Sequence, residues 1–232
     1  MARCYFFLAL LSQFVASFNL PFQKCSVQSD SSTCLRSSAV TSDSPSKMIS
    51  KSEPLRVMIA GAGVGGLTLA NVLLKNENVR CTILEKTSAF KRFGGPIQLA
   101  SNAMQILKEM DRHTYDLVLS NFTYTGDKEN GIKDGIRDEW YSKFDLGSPA
   151  EARSMPYTGV IERPDLQDIF LSNIHRVGDG KGIDGQDVVK NGNGVTSYTN
   201  KPTGEIEVTL EDGSTMTGDV LIGADGIWSS VR

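Results

Sequence analysis

The sequence predicts an α/β fold after residue 52, a parallel β-sheet with helices packed on it. Three observations predict it. Leu55-Arg56-Val57-Met58-Ile59-Ala60 is a short apolar run, Leu67 to Lys75 has helical length and spacing, and Val79-Arg80-Cys81-Thr82-Ile83-Leu84 is a second apolar run, so strand, helix and strand follow one another. The glycine-rich stretch Gly61-Ala62-Gly63-Val64-Gly65-Gly66 joins the first strand to the helix without a spacer. A later apolar run, Val220 to Ile222, ends in Gly223-Ala224-Asp225-Gly226, a second strand-to-turn junction.

The β–α–β unit carries a Gly-x-Gly-x-x-Gly turn, and each glycine has a task in a Rossmann-like nucleotide site. Gly61 permits the tight turn, Gly63 lets backbone approach a pyrophosphate, and Gly66 lets the helix pack close to the strand. The helix start offers unpaired N–H groups and the positive end of a dipole to the phosphates. Glu85 ends the second strand, about twenty residues on, where a carboxylate accepts from ribose hydroxyls and repels a 2′-phosphate. This unit fits FAD or NAD better than NADP and leaves FAD against NAD open.

The middle of the chain supplies a further candidate. Val160-Ile161-Glu162 reads as a strand running into a helix, with Pro164 in its first turn and Leu166, Ile169, Phe170 and Ile174 at core spacing. Arg163 stands at that helix start, where a cation opposes the dipole, so an anionic or electron-rich ligand would account for it better than local stability does. Glu205 to Leu210 alternates as a strand, and Asp212-Gly213 predicts a type I′ hairpin turn. Gly178 to Gly194, rich in Gly, Asp and Asn, reads as a surface loop. His113 and His175 have no Cys or carboxylate at metal spacing, so no metal site is expected.

Composition bounds the rest. The 232 residues leave room for one domain plus leader, and 40% hydrophobic with 22% charged residues is ordinary for a globular protein. A net charge of −3 speaks against a nucleic-acid partner. The charge is uneven: the first 52 residues carry Arg3, Lys24, Arg36, Lys47 and Lys51 against Asp30 and Asp43, while the body is acidic. Cys4, Cys25 and Cys34 lie in this head, and Cys81 alone lies in the body, where it reads as a small buried hydrophobe.

The basic head is expected to be an address rather than part of the fold. Residues 1–17 have the charged start, apolar stretch and small-residue end of a signal peptide. Residues 18–52 are Ser/Thr-rich and acid-poor, as in a disordered plastid transit segment. The order resembles the bipartite presequences of algae with secondary plastids, which implies plastid delivery; plain secretion followed by a disordered linker is the alternative.

Gly223-Ala224-Asp225-Gly226-Ile227-Trp228-Ser229-Ser230-Val231-Arg232 closely resembles the Gly-Ala-Asp-Gly-x-x-Ser-x-Val-Arg signature of FAD-dependent monooxygenases. In that family the Asp, here Asp225, holds the flavin ribityl region, and the Arg of an Arg-x-x-Leu pattern, here Arg163, reaches the flavin. The resemblance decides for FAD. Gly95-Pro96-Ile97-Gln98-Leu99-Ala100-Ser101-Asn102-Ala103 and Trp140-Tyr141-Ser142-Lys143-Phe144-Asp145 further resemble blocks of the zeaxanthin epoxidases. That resemblance covers about residues 55–232 and implies a parallel-sheet FAD-binding domain with part of a β-sheet substrate region. It also implies epoxidation of the xanthophyll ring double bond, from zeaxanthin to antheraxanthin to violaxanthin, through a C4a-hydroperoxyflavin. FAD, O2 and an external donor, NAD(P)H or ferredoxin, are implied as cofactors, and a lipophilic xanthophyll with peripheral thylakoid contact as partners. No side-chain acid or base is required. Two alternatives remain, an aromatic hydroxylase of the same flavin class and a short non-catalytic flavin-binding protein. A later flavin motif is expected to follow in this family, so residues 53–232 are expected to be an incomplete monooxygenase domain that binds FAD weakly and does not turn over.

Overall fold

The computed structural model describes residues 53–92 and 94–232. The signal and transit segments expected over residues 1–52 lie outside the described residues. The body begins with β1 (Leu55–Ala60), α1 (Val64–Leu73) and β2 (Val79–Glu85). It continues through β3 (Pro96–Leu99), α2 (Ser101–Met110), α3 (Arg112–Ser120), β4 (Thr123–Tyr124), β5 (Asn130–Lys133), β6 (Trp140–Phe144) and the short α4 (Ser148–Glu151). Then follow β7 (Gly159–Glu162), α5 (Arg163–Val177), β8 (Val189–Asn191), β9 (Val195–Asn200), β10 (Ile206–Leu210), β11 (Thr215–Gly218) and β12 (Val220–Gly223).

The central sheet is parallel, in the order β12-β1-β2-β8. Residues 57–60 of β1 and 81–84 of β2 are buried on both faces, as in a covered parallel sheet. Side chains alternate across a strand, so Val57, Ile59, Cys81 and Ile83 face one way, into a core with Leu67 and Ala70 of α1 and Leu166, Phe170 and Ile174 of α5. Met58, Ala60 and Leu84 face the other way, against Val208 and Leu210 of the antiparallel sheet β11-β10-β9 and Val195 beside them. Cys81 is fully buried, and burial pushes its thiol up to about 12.

Buried amides fix how the two long helices sit together. Asn71 of α1 donates to the carbonyls of Leu67 and of Phe170 in α5, at 2.8 and 3.0 Å. Asn173 of α5 donates to Asn71 Oδ1 at 2.8 Å. Buried polar groups satisfied in this way tolerate one register, because a slip would strand them without partners. A second lock joins β1 to the far end of the chain. Arg56 donates through its N–H and side chain to Asp219, between β11 and β12, at 2.6 to 3.3 Å, and to Glu205 at 2.7 Å.

Two expectations change. The β10–β11 turn is not type I′: among the described non-glycine residues only Asp138 and Ser154 have positive φ, so Asp212 does not. Instead Gly213 N–H donates to Leu210 O, Gly213 has φ +81°, and Leu210 N–H donates to Ser214 O. This is a type I turn followed by a glycine bulge, with the Asp212 carboxylate accepting from Ser214 N–H at 2.8 Å. The stretch from Gly178 to Gly194 is not all loop. Val188 is fully buried and Val189 to Asn191 form β8, the outer strand of the parallel sheet, paired with Ile83 to Glu85. After Asp225 the backbone makes a single 3₁₀ turn, Gly226–Trp228. Trp140 and Phe144 lie exposed on the β5–β6 hairpin.

Candidate functional site

The two glycine-containing turns lie far apart in sequence and side by side in the fold. Strands β1 and β12 run parallel in register, Ala60 opposite Gly223, and Ala224 N–H donates to Ala60 O at 2.8 Å. Both turns therefore leave the sheet at the carboxyl ends of neighbouring strands, the edge where open α/β sheets bind ligands. Gly61 has φ +99°, and a Cβ there would lie 2.6 Å from Ala224 O and 2.9 Å from Asp225 Cα. Only glycine lets the second turn come this close. A Cβ on Gly66 would overlap the Gly61 carbonyl oxygen, so this glycine is what lets α1 start directly over the turn.

Gly63 is different. Its backbone is ordinary, φ −71° and ψ 177°, and a Cβ there would meet no atom within 4 Å among the described residues. Neither strain nor packing calls for glycine here, and the space in front of it is open to a ligand. Helix α1 begins at Val64 with no side-chain cap and no acidic residue in its first turn. Its first intrahelical bond runs from Leu67 N–H to Gly63 O. The N–H groups of Val64, Gly65 and Gly66 thus have no acceptor among the described residues, the arrangement that binds anions at helix starts.

Glu85 stands on the other side of this turn. Its Oε2 accepts from Ala62 N–H at 2.7 Å and its Oε1 from Thr87 N–H at 2.9 Å. Burial raises the carboxyl, but those N–H groups, the Thr87 hydroxyl and Lys86 outweigh it, so the group titrates below the usual glutamate range. A carboxylate accepts about four hydrogen bonds, so each oxygen retains capacity for a ligand hydroxyl.

Asp225 completes the junction. Its Oδ2 accepts from Ser230 N–H at 2.7 Å, while Oδ1 is buried with no hydrogen-bond partner among the described residues. An orphaned buried carboxylate oxygen is costly, and a donor from a bound polyol would satisfy it. Arg163, at the start of α5, is exposed and has no carboxylate within 4.0 Å among the described residues. Its stem packs by Gly94. The neighbouring Arg92 is not available in the same way, since it bridges Asp165 and Asp168 of α5. Sequence reasoning missed Gln167, one helical turn beyond Arg163, whose Nε2 donates to Ala62 O at 2.9 Å. Its position in the Arg163-to-Phe170 stretch was visible, but nothing in the spacing pointed it at the glycine turn.

Two cavities lie elsewhere. One of 260 Å3 is lined by Phe90, His175, Asp187 and Val189, and one of 310 Å3 by Leu74, Lys75, Arg80 and Asp179. Neither reaches the glycine turn. Among the described residues no three His, Cys, Asp or Glu side chains are grouped to hold a metal.

The uncapped helix start, the Glu85 carboxylate and the unpartnered Asp225 oxygen lie at one edge of the parallel sheet, and their chemistry fits a dinucleotide cofactor such as FAD. The chain matches the FAD binding domain family over residues 54–232 and belongs to it. It is similar to chloroplastic zeaxanthin epoxidases: 38% identical over 182 residues to that of Spinacia oleracea, covering 77% of this chain and 25% of the relative. With that of an Oncidium hybrid cultivar it is 36% identical over 210 residues, covering 89% and 29%. The chain spans about a quarter of the length of the Spinacia oleracea relative. Among solved structures it resembles 2-methyl-3-hydroxypyridine-5-carboxylic acid oxygenase, with TM-score 0.58, 24% identity, and 77% and 41% of the two chains covered. It also resembles CtdE solved in complex with FAD, with TM-score 0.56, 19% identity, and 77% and 40% covered. These two likenesses concern the fold.

Proposed function

We propose that this protein is the FAD-binding part of a monooxygenase that epoxidises the ring double bond of xanthophylls. The N–H groups at the start of α1 and at Gly63 hold the diphosphate, Glu85 accepts from the adenosine ribose, and Asp225 Oδ1 accepts from the ribityl chain. Arg163, exposed at the start of α5, would reach the flavin. The observation that carries the reading is the convergence at Gly61, where backbone of the second turn comes so near that any side chain is excluded and Asp225 Oδ1 is left buried and unpaired.

When bound, FAD supplies the redox and oxygen-activating chemistry, with an external donor, NAD(P)H or ferredoxin, for the electrons and O2 for the transferred oxygen. The residues of this chain bind and orient the cofactor; none serves as an acid or base. Support for xanthophylls as substrate comes from the similarity to chloroplastic zeaxanthin epoxidases, and the same similarity supports residence in a plastid.

Two measurements test this. Titration of the purified chain with FAD and with NAD, followed by flavin fluorescence and by displacement, should show FAD preferred; NAD binding in its place would sink the cofactor assignment. Deletion of the gene in its source organism, followed by pigment chromatography, should deplete epoxy-xanthophylls. An unchanged pigment profile would point instead to an aromatic hydroxylase or a non-catalytic protein.

A further inference from the structure

Ala62 is the one residue of the glycine turn whose N–H and C=O are both held by side chains from other elements. Glu85, at the end of β2, accepts its N–H at 2.7 Å. Gln167, on α5, donates to its C=O at 2.9 Å across 105 positions of sequence. A trans peptide is planar, with its C=O and N–H pointing opposite ways. Each contact therefore orients a whole peptide plane. Glu85 sets the plane between Gly61 and Ala62, and turns the Gly61 carbonyl under the start of α1, where a Cβ on Gly66 would strike it. Gln167 sets the next plane, and by holding Ala62 O toward α5 it turns the Gly63 N–H away from α5. That N–H has no acceptor among the described residues, and the space before Gly63 is open.

We infer that Gln167 is a positioning residue that aims the Gly63 N–H into the anion site and keeps the Ala62 carbonyl out of it. The inference rests on the FAD reading above and adds to it the device that pre-orients the turn. Without this bond the plane between Ala62 and Gly63 is free to rotate, because Gly63 carries no side chain to resist it. Rotation brings a carbonyl dipole toward phosphate in place of a donor. The device is itself held in place: Gln167 shares the inner stripe of α5 with Phe170 and Asn173, whose bonds to Asn71 lock the helix against α1. A donor oriented before the ligand arrives has no ordering cost at the moment of binding.

Gln167→Met keeps length and volume without a donor, and Gln167→Glu keeps shape while presenting acceptors at neutral pH. Both are measured in the full chain, with circular dichroism to verify folding. The first readout is 15N relaxation of the ligand-free protein. Gly63 should lose order in both variants while Leu67 to Leu73 stay as in the wild type. The second is titration with FAD, where affinity should fall roughly 10- to 150-fold, the value of one oriented hydrogen bond to a charged group. Unchanged Gly63 order would overturn the inference, and so would loss of order throughout α1 and α5, which marks Gln167 as packing only. Failure of the wild type to bind FAD would remove the cofactor reading, and the relaxation measurement would still decide whether Gln167 orients the turn.

Discussion

Gly61, Gly63 and Gly66 of the first turn should respond to alanine in opposite ways, and the contrast separates folding from ligand binding. At Gly66 the added methyl overlaps the Gly61 carbonyl oxygen, a backbone atom that cannot swing aside. Overpacking of this kind costs about 3 kcal/mol, and for a domain of this size that is roughly 6–12 °C in Tm. At Gly61 the methyl meets Ala224 O at 2.6 Å and the φ of +99° is strained for any side chain, so the cost is at least as large. At Gly63 neither penalty exists. The extended backbone suits alanine and nothing lies within 4 Å. Stability should hold or rise by about 0.4–1 kcal/mol, since alanine narrows the unfolded ensemble. The methyl does, however, occupy the approach of a phosphate to the turn. Losing one charge-assisted hydrogen bond, about 1.5–3 kcal/mol, predicts FAD affinity roughly 10- to 150-fold weaker. Thermal unfolding and flavin-fluorescence titration of the three variants measure both quantities. If Gly63→Ala unfolded as easily as Gly66→Ala, or bound FAD like the wild type, the assignment of the open space before Gly63 to a diphosphate would be wrong.

Further outcomes are expected elsewhere. Asp225→Ala removes a buried oxygen without a partner but also the acceptor of Ser230 N–H, two opposing effects that should leave urea stability within about 1 kcal/mol of the wild type, while FAD affinity falls at least tenfold; equal affinity would refute the ribityl contact. Glu85 has a depressed carboxyl, so its contribution is complete above the unfolded value of about 4.3 and is lost as pH falls through the lower folded value. Between about pH 5 and pH 3 the wild type should therefore lose more stability than Glu85→Gln, in urea melts at each pH; parallel curves would contradict this. Arg56→Met removes the donor shared by Asp219 and Glu205, and with these side chains about a third exposed and screened the cost should be about 1 kcal/mol. Cys81 should resist iodoacetamide in the native protein, as judged by mass-spectrometric peptide mapping, and react only on unfolding; native labelling would contradict its burial.

Local pattern alone located the β–α–β unit, the helix after Pro164, the buried faces of both, and Glu85 and Asp225 at strand ends. These are short-range properties: apolar periodicity sets strand and helix, and glycine spacing sets the turn, with no need to know the partner. Three things were decided by tertiary structure. Val188 and Val189 are too brief a run to announce a strand, and only the open edge of β2 recruits them into the sheet. Asp212-Gly213 fits more than one hairpin turn, and the register between β10 and β11 selected the bulged one. Gln167 carries no signal of its own, because its role exists only where α5 crosses the glycine turn, and that crossing is set by the amides of Asn71 and Asn173 buried between two helices far apart in the chain. Sequence determined which groups could hold a dinucleotide; the parallel pairing of β1 with β12 brought them to one edge, since a contact between distant segments is a property of the packed sheet and of neither segment alone.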